Sequence, residues 1–439
     1  MNGRIQRRDF LKAGSALTGA ALTILPSGLL RAGNAPSDKL NIAAIGVGGR
    51  GAANLDAVKS ENIVALCDVH QGNLANAARQ FPRAKTYTDW RVCLDQKDID
   101  AVVCSTTDHT HAFVSIWAMN RGYHVYCEKP LADSVEETRL VRETYLRNKG
   151  KIATQMGTQI HATDNYRRMV ELIRGGAVGT PREVHVWCSR MPEGGSYLPA
   201  AGDPPAHLDW DLWLGPAPHH PYNPGYVGAC VKWNRFCDFS SGQIGDMGSH
   251  MLDMPYWALD LRFPTSCEAS GTPVNPDTCP QWLMAKWDHP ANDWRPAIKV
   301  HWYDGGKKPD MPAQEFNREG MYKGVIFAGD KGHLICDYGY RILRPTGDLS
   351  YYRPPKPEEL IPPSPGHHRE WIIGAKEGKP TLCNFDYSGA LIEHNLLALV
   401  AYRVGKKLEW DAKNLKATNC PEVDGFIRKK YREGWKLNG

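Results

Sequence analysis

Asp246 and His250 are the residues whose types and spacing most directly suggest chemistry. Because they lie four positions apart, a helix would place both side chains on one face, and Asp253 would continue that face. A carboxylate beside an imidazole orients the ring and raises its basicity, which suits a general base that removes the proton of a hydroxyl group. The alternative is a helix start with a polar cap, since Gly-Asp is common at such positions.

Lys129 is the second candidate, in the sequence Glu128-Lys129-Pro130 that follows an apolar run at 123–127. An ammonium group at the carboxyl end of a strand can hydrogen-bond a substrate hydroxyl and help to lower its pKa. The alternative is a surface lysine that happens to precede a proline.

A glycine-rich turn provides the binding site that such a reaction would need. An apolar run at 40–45 leads directly into G-x-G-x-x-G, and an amphipathic pattern follows. In this pattern the first glycine permits the tight turn, the second lets backbone N–H groups approach a pyrophosphate, and the third lets the helix pack closely on the strand. The helix N-terminus then faces the phosphates. The loop comprises Gly46, Val47, Gly48, Gly49, Arg50 and Gly51.

Asp68 ends a second apolar run at 63–67, about twenty residues after the loop. It is placed to accept hydrogen bonds from the adenosine ribose hydroxyls. Its negative charge would repel a 2′-phosphate, so the sequence favours NAD over NADP. The alternative is a glycine-rich strand-to-helix turn in some other α/β protein.

Between residues 40 and 154, strand patterns alternate with helical patterns, which predicts a parallel sheet of βαβ units. Ligands bind such sheets at the carboxyl ends of the strands. Polar residues after the strands at 100–105 and 123–127, and after a last strand at 151–156, are therefore candidates for cofactor binding. They are Ser105, Thr106, Asp108, His111, Glu128, Lys129 and Gln159.

The pattern changes after residue 155. A strand at 182–189, an irregular Pro/Gly/aromatic stretch at 192–232 and strands between 281 and 344 predict a large, mostly antiparallel sheet. Long irregular segments are more often functional than filler. We therefore expect an α/β fold with a doubly wound Rossmann domain at 36–155 and a C-terminal α+β domain at 156–439. Helices near 386–404 are expected to pack back toward the first domain.

The first 35 residues are typical of an export signal. Residues 7–12, Arg-Arg-Asp-Phe-Leu-Lys, resemble the twin-arginine signal, and an apolar segment at 13–30 precedes small residues near Ala35. A membrane anchor is the alternative, although glycines and a proline dilute the segment. We expect a periplasmic or exported protein, with no stable membrane association once the signal is removed.

Composition excludes several classes of partner. The chain has 53 basic and 48 acidic residues, of which five basic and one acidic lie at 1–35, so the remainder has 48 basic and 47 acidic residues. That balance leaves no large excess of positive charge of the kind that binds nucleic acid or an anionic membrane. The twelve cysteines include no C-x-x-C pair, and we expect mostly free thiols, with a pair late in the chain left open.

Three motifs carry a family resemblance: the glycine loop, Glu128-Lys129-Pro130, and Gly-Asp-Met-Gly-Ser-His at 245–250. Through them the chain resembles the Gfo/Idh/MocA family of NAD(P)-dependent oxidoreductases. The resemblance covers the chain after the signal. It implies that Lys129, Asp246 and His250 form a catalytic set for oxidation of a secondary alcohol. It also implies that the far face of the C-terminal sheet mediates homo-oligomers, as dimers or tetramers.

The reading that follows is hydride transfer from a carbon of a sugar, glycoside or cyclitol to C4 of NAD⁺, with His250, oriented by Asp246, as base. Because an exported enzyme meets no obvious NAD pool, we expect the cofactor to be bound tightly. A redox-neutral NAD-dependent glycoside hydrolase is the alternative, and a non-catalytic sugar sensor is a third.

A zinc or manganese site is the competing chemistry, and we expect no such site because the residues that could bind the metal are scattered along the chain. They are His109, His111, His207, Asp209, Asp211, Asp246, His250 and Asp253.

Overall fold

The computed structural model describes residues 39–310 and 321–438, so the predicted export signal lies outside the described residues. Six strands form the first sheet, in the order β3-β2-β1-β4-β5-β6, and every neighbouring pair is parallel. This is the doubly wound sheet expected from the alternating pattern. The strands are β1 (Asn41–Ile45), β2 (Asn62–Cys67), β3 (Lys85–Tyr87), β4 (Ala101–Cys104), β5 (His124–Cys127) and β6 (Thr154–Met156).

Both faces of this sheet are covered, because alternate side chains of its strands enter two separate cores. Ile42 and Ala44 pack on one side, and Ala43 and Ile45 pack on the other. The helices that follow these strands are α1 (Arg50–Val58), α2 (Gln71–Gln80), α3 (Trp90–Cys93), α4 (Asp108–Asn120) and α5 (Val135–Arg147).

The second sheet has nine strands in the order β13-β12-β11-β7-β10-β9-β8-β14-β15. Among the described strands of this second sheet, only β7 and β10 pair in parallel, so the sheet is mixed and mostly antiparallel, as expected. The alternating pattern did not reveal β8, β14 or β15. The strands are β7 (Pro181–Cys188), β8 (Ser266–Gly271), β9 (Leu283–His289), β10 (Ile298–Asp304), β11 (Lys323–Gly329), β12 (Gly332–Cys336), β13 (Arg341–Pro345), β14 (Leu408–Asp411) and β15 (Lys416–Ala417).

The remaining helices lie before, between and after these strands. Short ones cluster between residues 210 and 258, where the chain turns repeatedly. They are α6 (Asp164–Arg174), α7 (Trp210–Leu214), α8 (Cys230–Trp233), α9 (Gly242–Asp246), α10 (Gly248–Met251), α11 (Asp253–Ala258), α12 (His367–Glu377), α13 (Phe385–Val404) and α14 (Asp424–Ile427).

Helices from the end of the chain return to the first sheet. On α13, Glu393 accepts two hydrogen bonds from Arg139 of α5, at 2.9 and 2.7 Å. Trp371 of α12 donates a hydrogen bond to the Ala153 carbonyl (3.3 Å) and belongs to a core of the first sheet. The two sheets and these helices therefore form one compact unit.

The irregular stretch at 192–232 is packed around an aromatic core of its own. Trp210 and Trp213 stack with ring centroids 4.7 Å apart, and Tyr226 lies 6.0 Å from Trp210. This buried cluster gives the segment a defined position beside the first sheet, where the Val69 carbonyl accepts a hydrogen bond from the Asp209 amide at 3.0 Å. Within the described residues, no helix combines the length and the apolar character that crossing a membrane requires.

Candidate active site

The glycine loop is packed so closely that side chains would not fit at its key positions. A Cβ on Gly46, which has φ of 78°, would lie 2.5 Å from the Ser105 carbonyl oxygen. A Cβ on Gly51 would lie 1.9 Å from the Gly46 carbonyl oxygen. The loop therefore holds β1, the start of α1 and the end of β4 in contact, which is the geometry expected of the first and third glycines.

Asp68 lies at the end of β2 and ties the loop down. Its carboxylate accepts hydrogen bonds from the amides of Val47 (2.9 Å) and His70 (2.8 Å). Burial raises the pKa of Asp68, against the lowering effect of these amides. Each carboxylate oxygen can accept a further hydrogen bond, so the expected contact with ribose hydroxyls stays a prediction.

Arg50, at the start of α1, forms no ion pair or hydrogen bond with another described residue. Its charge is close enough to lower the pKa of both His250 and His368. The guanidinium group is therefore available to an anionic ligand beside the site.

Glu128 and Gln159 are joined to each other below the loop. Glu128 Oε1 accepts hydrogen bonds from Asn54 Nδ2 and Gln159 Nε2, both at 2.9 Å. A Cβ on Gly157 would lie 2.7 Å from the Glu128 carboxylate. The pair thus lines the floor of the predicted nucleotide site.

The polar residues that follow β4 are hydrogen-bonded to other side chains. Ser105 Oγ accepts a hydrogen bond from Asn54 Nδ2 (2.9 Å), and Thr106 Oγ1 accepts one from Thr110 (2.6 Å). Asp108 is buried and accepts a hydrogen bond from Ser240 (2.6 Å). Burial raises the pKa of Asp108 to about 6.

His111 differs from its predicted role as a cofactor contact. It is 1% exposed, and its ring nitrogens lie 2.7 Å from the Pro130 carbonyl oxygen and 3.1 Å from the Thr106 carbonyl oxygen. Because both nitrogens face backbone acceptors, the ring ties the loop after β4 to the turn that carries Lys129.

Lys129 and Asp246 meet in a buried ion pair, joined by a hydrogen bond from Lys129 Nζ to Asp246 Oδ1. Asp246 Oδ2 accepts further hydrogen bonds from Arg190 (2.6 Å) and Asn234 (3.1 Å). Burial alone would lower the pKa of Lys129, but the charge of Asp246 raises it above its ordinary value. Burial alone would raise the pKa of Asp246, but Lys129 and Arg190 lower it. Both groups are therefore charged at neutral pH.

His250 lies beside this pair without a hydrogen bond to Asp246 among the described residues. Met247, between α9 and α10, keeps helical backbone angles (φ −79°, ψ −31°), but the Asp246 carboxylate is hydrogen-bonded by Lys129, Arg190 and Asn234. His250 Nδ1 is buried without a partner among the described residues. Burial and then the charge of Lys129 lower the pKa of His250 to about 3. The charge of Asp246 does raise the pKa of His250, as expected, but burial and Lys129 outweigh it, and the expected hydrogen bond from Asp246 is not formed among the described residues.

Asp253 is hydrogen-bonded to residues other than Asp246 and His250. It is fully buried and accepts hydrogen bonds from His161 Nδ1 (2.9 Å) and the Tyr387 hydroxyl (2.6 Å). The carboxylate–imidazole pair expected at residues 246 and 250 thus occurs at residues 253 and 161.

Sequence comparison identifies the family to which this arrangement belongs. A family model described as the oxidoreductase family with an NAD-binding Rossmann fold matches residues 40–186, and the family's C-terminal α/β domain matches 187–291. The chain belongs to the Gfo/Idh/MocA oxidoreductase family.

Curated members of the Gfo/Idh/MocA family match part of the chain. Inositol 2-dehydrogenase of Salmonella typhimurium is 30% identical over 151 residues, or 33% of this chain and 45% of that protein. A glycosyl hydrolase family 109 protein of a Shewanella species is 30% identical over 207 residues, or 40% of this chain and 44% of that protein. The chain thus spans about half the length of the curated relatives it matches.

A solved structure shares the fold over most of the chain. Levoglucosan dehydrogenase in complex with NADH and levoglucosan superposes with a TM-score of 0.57 and 18% identity, covering 85% of this chain and 99% of that one. At this identity the likeness shows the fold alone.

The residues of this Gfo/Idh/MocA protein fit NAD. Gly46 and Gly51 pack against backbone, whereas a Cβ on Gly49 would meet nothing within 4 Å, so the loop is open on that side. Arg50 has no ion-pair partner among the described residues, and Asp68 holds the loop at the Val47 amide. Backbone N–H groups at the start of α1 would face phosphates.

The scattered metal-ligand candidates stay apart in the structure. His109 is buried with its nitrogens 3.3 and 3.2 Å from the carbonyl oxygens of Phe239 and Trp213, and Asp211 forms an ion pair with Arg432. One group among the described residues has metal-ligand spacing, namely Cys104, His111 and Cys127. Since both His111 nitrogens face carbonyl oxygens, that group lacks a free imidazole ligand.

Sequence reasoning missed Arg190 and Asn234, which hold Asp246, and His161, which pairs with Asp253. Arg190 follows the end of β7 by two residues, and a basic residue after a strand was the one signal that could have indicated it. Asn234 carried no comparable signal.

Proposed function

We propose that the protein is an NAD-dependent oxidoreductase that oxidises a secondary hydroxyl group of a sugar, glycoside or cyclitol. The observation that carries the proposal is the buried Lys129–Asp246 ion pair beside His250, at the carboxyl end of the first sheet. Family membership and the inositol and levoglucosan dehydrogenases among its relatives and structural neighbours support the class of substrate.

Lys129 positions and activates the hydroxyl group. Because Asp246 keeps Lys129 protonated, the ammonium group can donate a hydrogen bond to the substrate oxygen and stabilise the negative charge that develops there. Asp246 is itself fixed by Arg190 and Asn234, so the ammonium group has little freedom to turn away.

His250 accepts the hydroxyl proton. Its lowered pKa, about 3, means that the imidazole is neutral at physiological pH but a weak base in the unliganded protein. The positive charge of Lys129 is one cause of that lowering, and an oxyanion held by Lys129 would offset it. NAD, when bound, supplies the hydride acceptor.

We propose that Asp68 selects NAD over NADP and that the cofactor is retained tightly. Asp68 carries a negative charge next to the loop that would oppose a 2′-phosphate. Tight retention agrees with the proposed twin-arginine export to the periplasm, because that route carries folded proteins and would deliver NAD already bound.

A redox-neutral glycoside hydrolase is the second candidate. The similarity to a glycosyl hydrolase family 109 protein favours it. The same Lys129, Asp246 and His250 would serve an oxidation, an elimination and a reduction that return the cofactor to its starting state.

One experiment separates the two candidates. The purified chain, with its nucleotide released and identified, is mixed with free sugars, cyclitols and aryl glycosides while the reduced-nicotinamide absorbance is recorded. Lasting reduction by a free sugar or cyclitol supports the dehydrogenase. Aglycone release without net reduction, lost when NAD is removed, supports the hydrolase. Absence of nucleotide binding would contradict both.

We also propose that the protein is a homo-oligomer that associates through the face of the second sheet opposite the main core. On that face Trp187, Ile326 and Ile335 form a separate apolar cluster that is buried within the chain, and the partly exposed Tyr303 and Tyr340 pack beside it. Light scattering should give a mass that is a multiple of the 48.9 kDa chain. A monomer mass at micromolar concentration would contradict the proposal.

A further inference from the structure

Two cysteines outside the candidate active site lie next to each other. The Sγ atoms of Cys237 and Cys279 are 3.9 Å apart. The backbone is paired around them, since the Cys237 amide donates to the Asp277 carbonyl (3.0 Å) and the Cys279 amide donates to the Arg235 carbonyl (2.7 Å). A disulfide needs sulfur atoms about 2.0 Å apart, which side-chain rotation can supply while these backbone hydrogen bonds hold the two segments together.

A cavity of about 80 Å³ lies beside both cysteines. It has room for a few water molecules, so its lining must move apart to admit a reagent as large as glutathione. Its lining includes Cys237 and Cys279 together with Gly425 and Phe426, and the last two are exposed at the surface. The cavity therefore connects the thiol pair to solvent.

Basic residues in the same cavity favour a thiolate at Cys237. The hydrogen bond from Cys279 and the charges of Arg403 and Lys429 lower the pKa of Cys237 to about 7, against the effect of burial. Cys279 has the opposite environment: its pKa is raised, first by the same hydrogen bond and then by burial. The contacts also differ: Lys429 Nζ donates a hydrogen bond to the Cys237 carbonyl (2.8 Å), whereas Cys279 Sγ lies 3.8 Å from the Ser240 carbonyl oxygen. Cys237 is therefore the thiol beside a positive charge, which favours its thiolate as the nucleophile.

Two other neighbouring cysteine pairs lack this access. Cys104 and Cys127 face each other on β4 and β5 and are fully buried, and Cys67 and Cys93 are 2% and 0% exposed. Cys237 and Cys279 are 8% and 4% exposed and also line the cavity.

We propose that Cys237 and Cys279 are a redox modification site, at which a small-molecule disulfide such as oxidised glutathione converts the two thiols into a protein disulfide. The Cys237 thiolate attacks one sulfur of the reagent, forms a mixed disulfide and releases one glutathione thiolate. Cys279 loses its proton and attacks Cys237 Sγ, releasing the second glutathione. The two cysteine sulfurs are oxidised by two electrons in total, and one molecule of oxidised glutathione becomes two of reduced glutathione.

The bond would fasten a segment that supports the candidate active site. Asn234 donates a hydrogen bond to Asp246 (3.1 Å), and Ser240 donates one to Asp108 (2.6 Å). Cys237 lies between these two residues. Because a disulfide that closes a loop of about 40 residues restricts the unfolded chain, the oxidised protein should unfold at a higher temperature than the reduced protein.

The test is a redox titration of the purified full chain in mixtures of reduced and oxidised glutathione, followed by acid quenching, alkylation and mass spectrometry. We expect a species lighter by two hydrogen atoms, a Cys237–Cys279 cross-linked peptide, reversal by reductant and a higher melting temperature. The exposed Cys230 serves as the internal control for reagent activity. The proposal would be overturned if both cysteines could still be alkylated when Cys230 is fully modified by glutathione. It would also be overturned if Cys104–Cys127 or Cys67–Cys93 were oxidised before this pair.

Single variants establish the order of attack. Cys279→Ser should trap a glutathione adduct on Cys237, whereas Cys237→Ser should leave Cys279 unmodified. Cys93→Ser, the matched control, should still form the Cys237–Cys279 cross-link. An adduct on Cys279 but none on Cys237 would refute the assigned roles. The wild-type titration decides the proposal even where a variant does not fold.

Discussion

At the scale of single residues, the candidate site depends on one buried ion pair. Lys129 and Asp246 are separated by 117 positions in the chain, yet each holds the other in its charged form. Arg190 adds a second positive charge on Asp246. Two positive charges thus flank one carboxylate, although Asp108 and Glu128 also act on Lys129. The Lys129 ammonium group is the one that can stabilise negative charge developing on an alcohol oxygen.

The first prediction concerns Asp246→Asn, which removes the charge that keeps Lys129 protonated. We expect kcat/KM for sugar or cyclitol oxidation to fall about 100- to 1,000-fold, with nucleotide still bound. The pH profile of the variant should also shift, because the pKa of Lys129 falls. Asp56→Asn, at an exposed ion pair with Lys59, is the matched control and should keep wild-type kinetics. Unchanged kcat/KM in D246N would refute the assigned role.

The second prediction concerns the pH dependence of the reaction. Because the pKa of His250 is about 3, the ring stays neutral throughout the range from pH 5 to 8. A base must be unprotonated to act, so kcat/KM should fall only as the pH approaches the pKa of about 3. An ordinary histidine would instead give an acidic limb near pH 6.5. Initial rates across this range, with buffer controls, test it, and a limb near 6.5 would show that His250 is not so perturbed.

At the scale of elements, the glycine loop joins three of them in a space that admits no side chain. The loop follows β1, starts α1 and touches the end of β4. Asp68, at the end of β2, fixes the same loop from the other side. The nucleotide cradle is therefore a property of the packed elements as well as of the motif.

The third prediction is that Gly51→Ala abolishes nucleotide binding. Its Cβ would lie 1.9 Å from the Gly46 carbonyl oxygen, so β1 and α1 would have to separate. Overpacking of this kind costs about 1–3 kcal/mol of stability. Gly339→Ala is the control, because a Cβ there meets nothing within 4 Å. Titration with NAD and thermal denaturation measure both effects; tight binding by G51A would contradict the prediction.

At the scale of the whole molecule, several histidines are buried in neutral form. Burial lowers the pKa of His109 and His394 to about 4 and of His250 and His367 to about 3. These rings belong to different parts of the fold, so together they make its stability sensitive to acid.

The fourth prediction follows from those four histidines. Each is protonated more readily in the unfolded chain, where the pKa is near 6.5, than in the folded protein. The stability that each contributes is therefore complete above pH 6.5 and is lost as the pH falls toward its folded-state value. The slope is about 1.4 kcal/mol per pH unit for each histidine in that window. Urea denaturation at pH 7.5, 6 and 5 measures it. His394→Gln should reduce the slope, whereas His207→Gln, at an exposed ring, should not.

The sequence alone determined the features that depend on local spacing. The glycine loop and Asp68 are separated by one βαβ unit, so their juxtaposition follows from the pattern of apolar runs and turns. The strand periodicity likewise indicated a parallel sheet followed by a mostly antiparallel one. These predictions are confirmed because each rests on a short stretch whose backbone conformation is dictated by its own residues.

Only the tertiary structure decided which side chains meet. Asp246 and His250 had the spacing of an interacting pair, but the approach of Lys129, Arg190 and Asn234 gave Asp246 other hydrogen-bond partners. His161 and Asp253, 92 positions apart, took the geometry expected of that pair. Contacts across such separations arise from the packing of whole elements, and no local pattern of residue types records them.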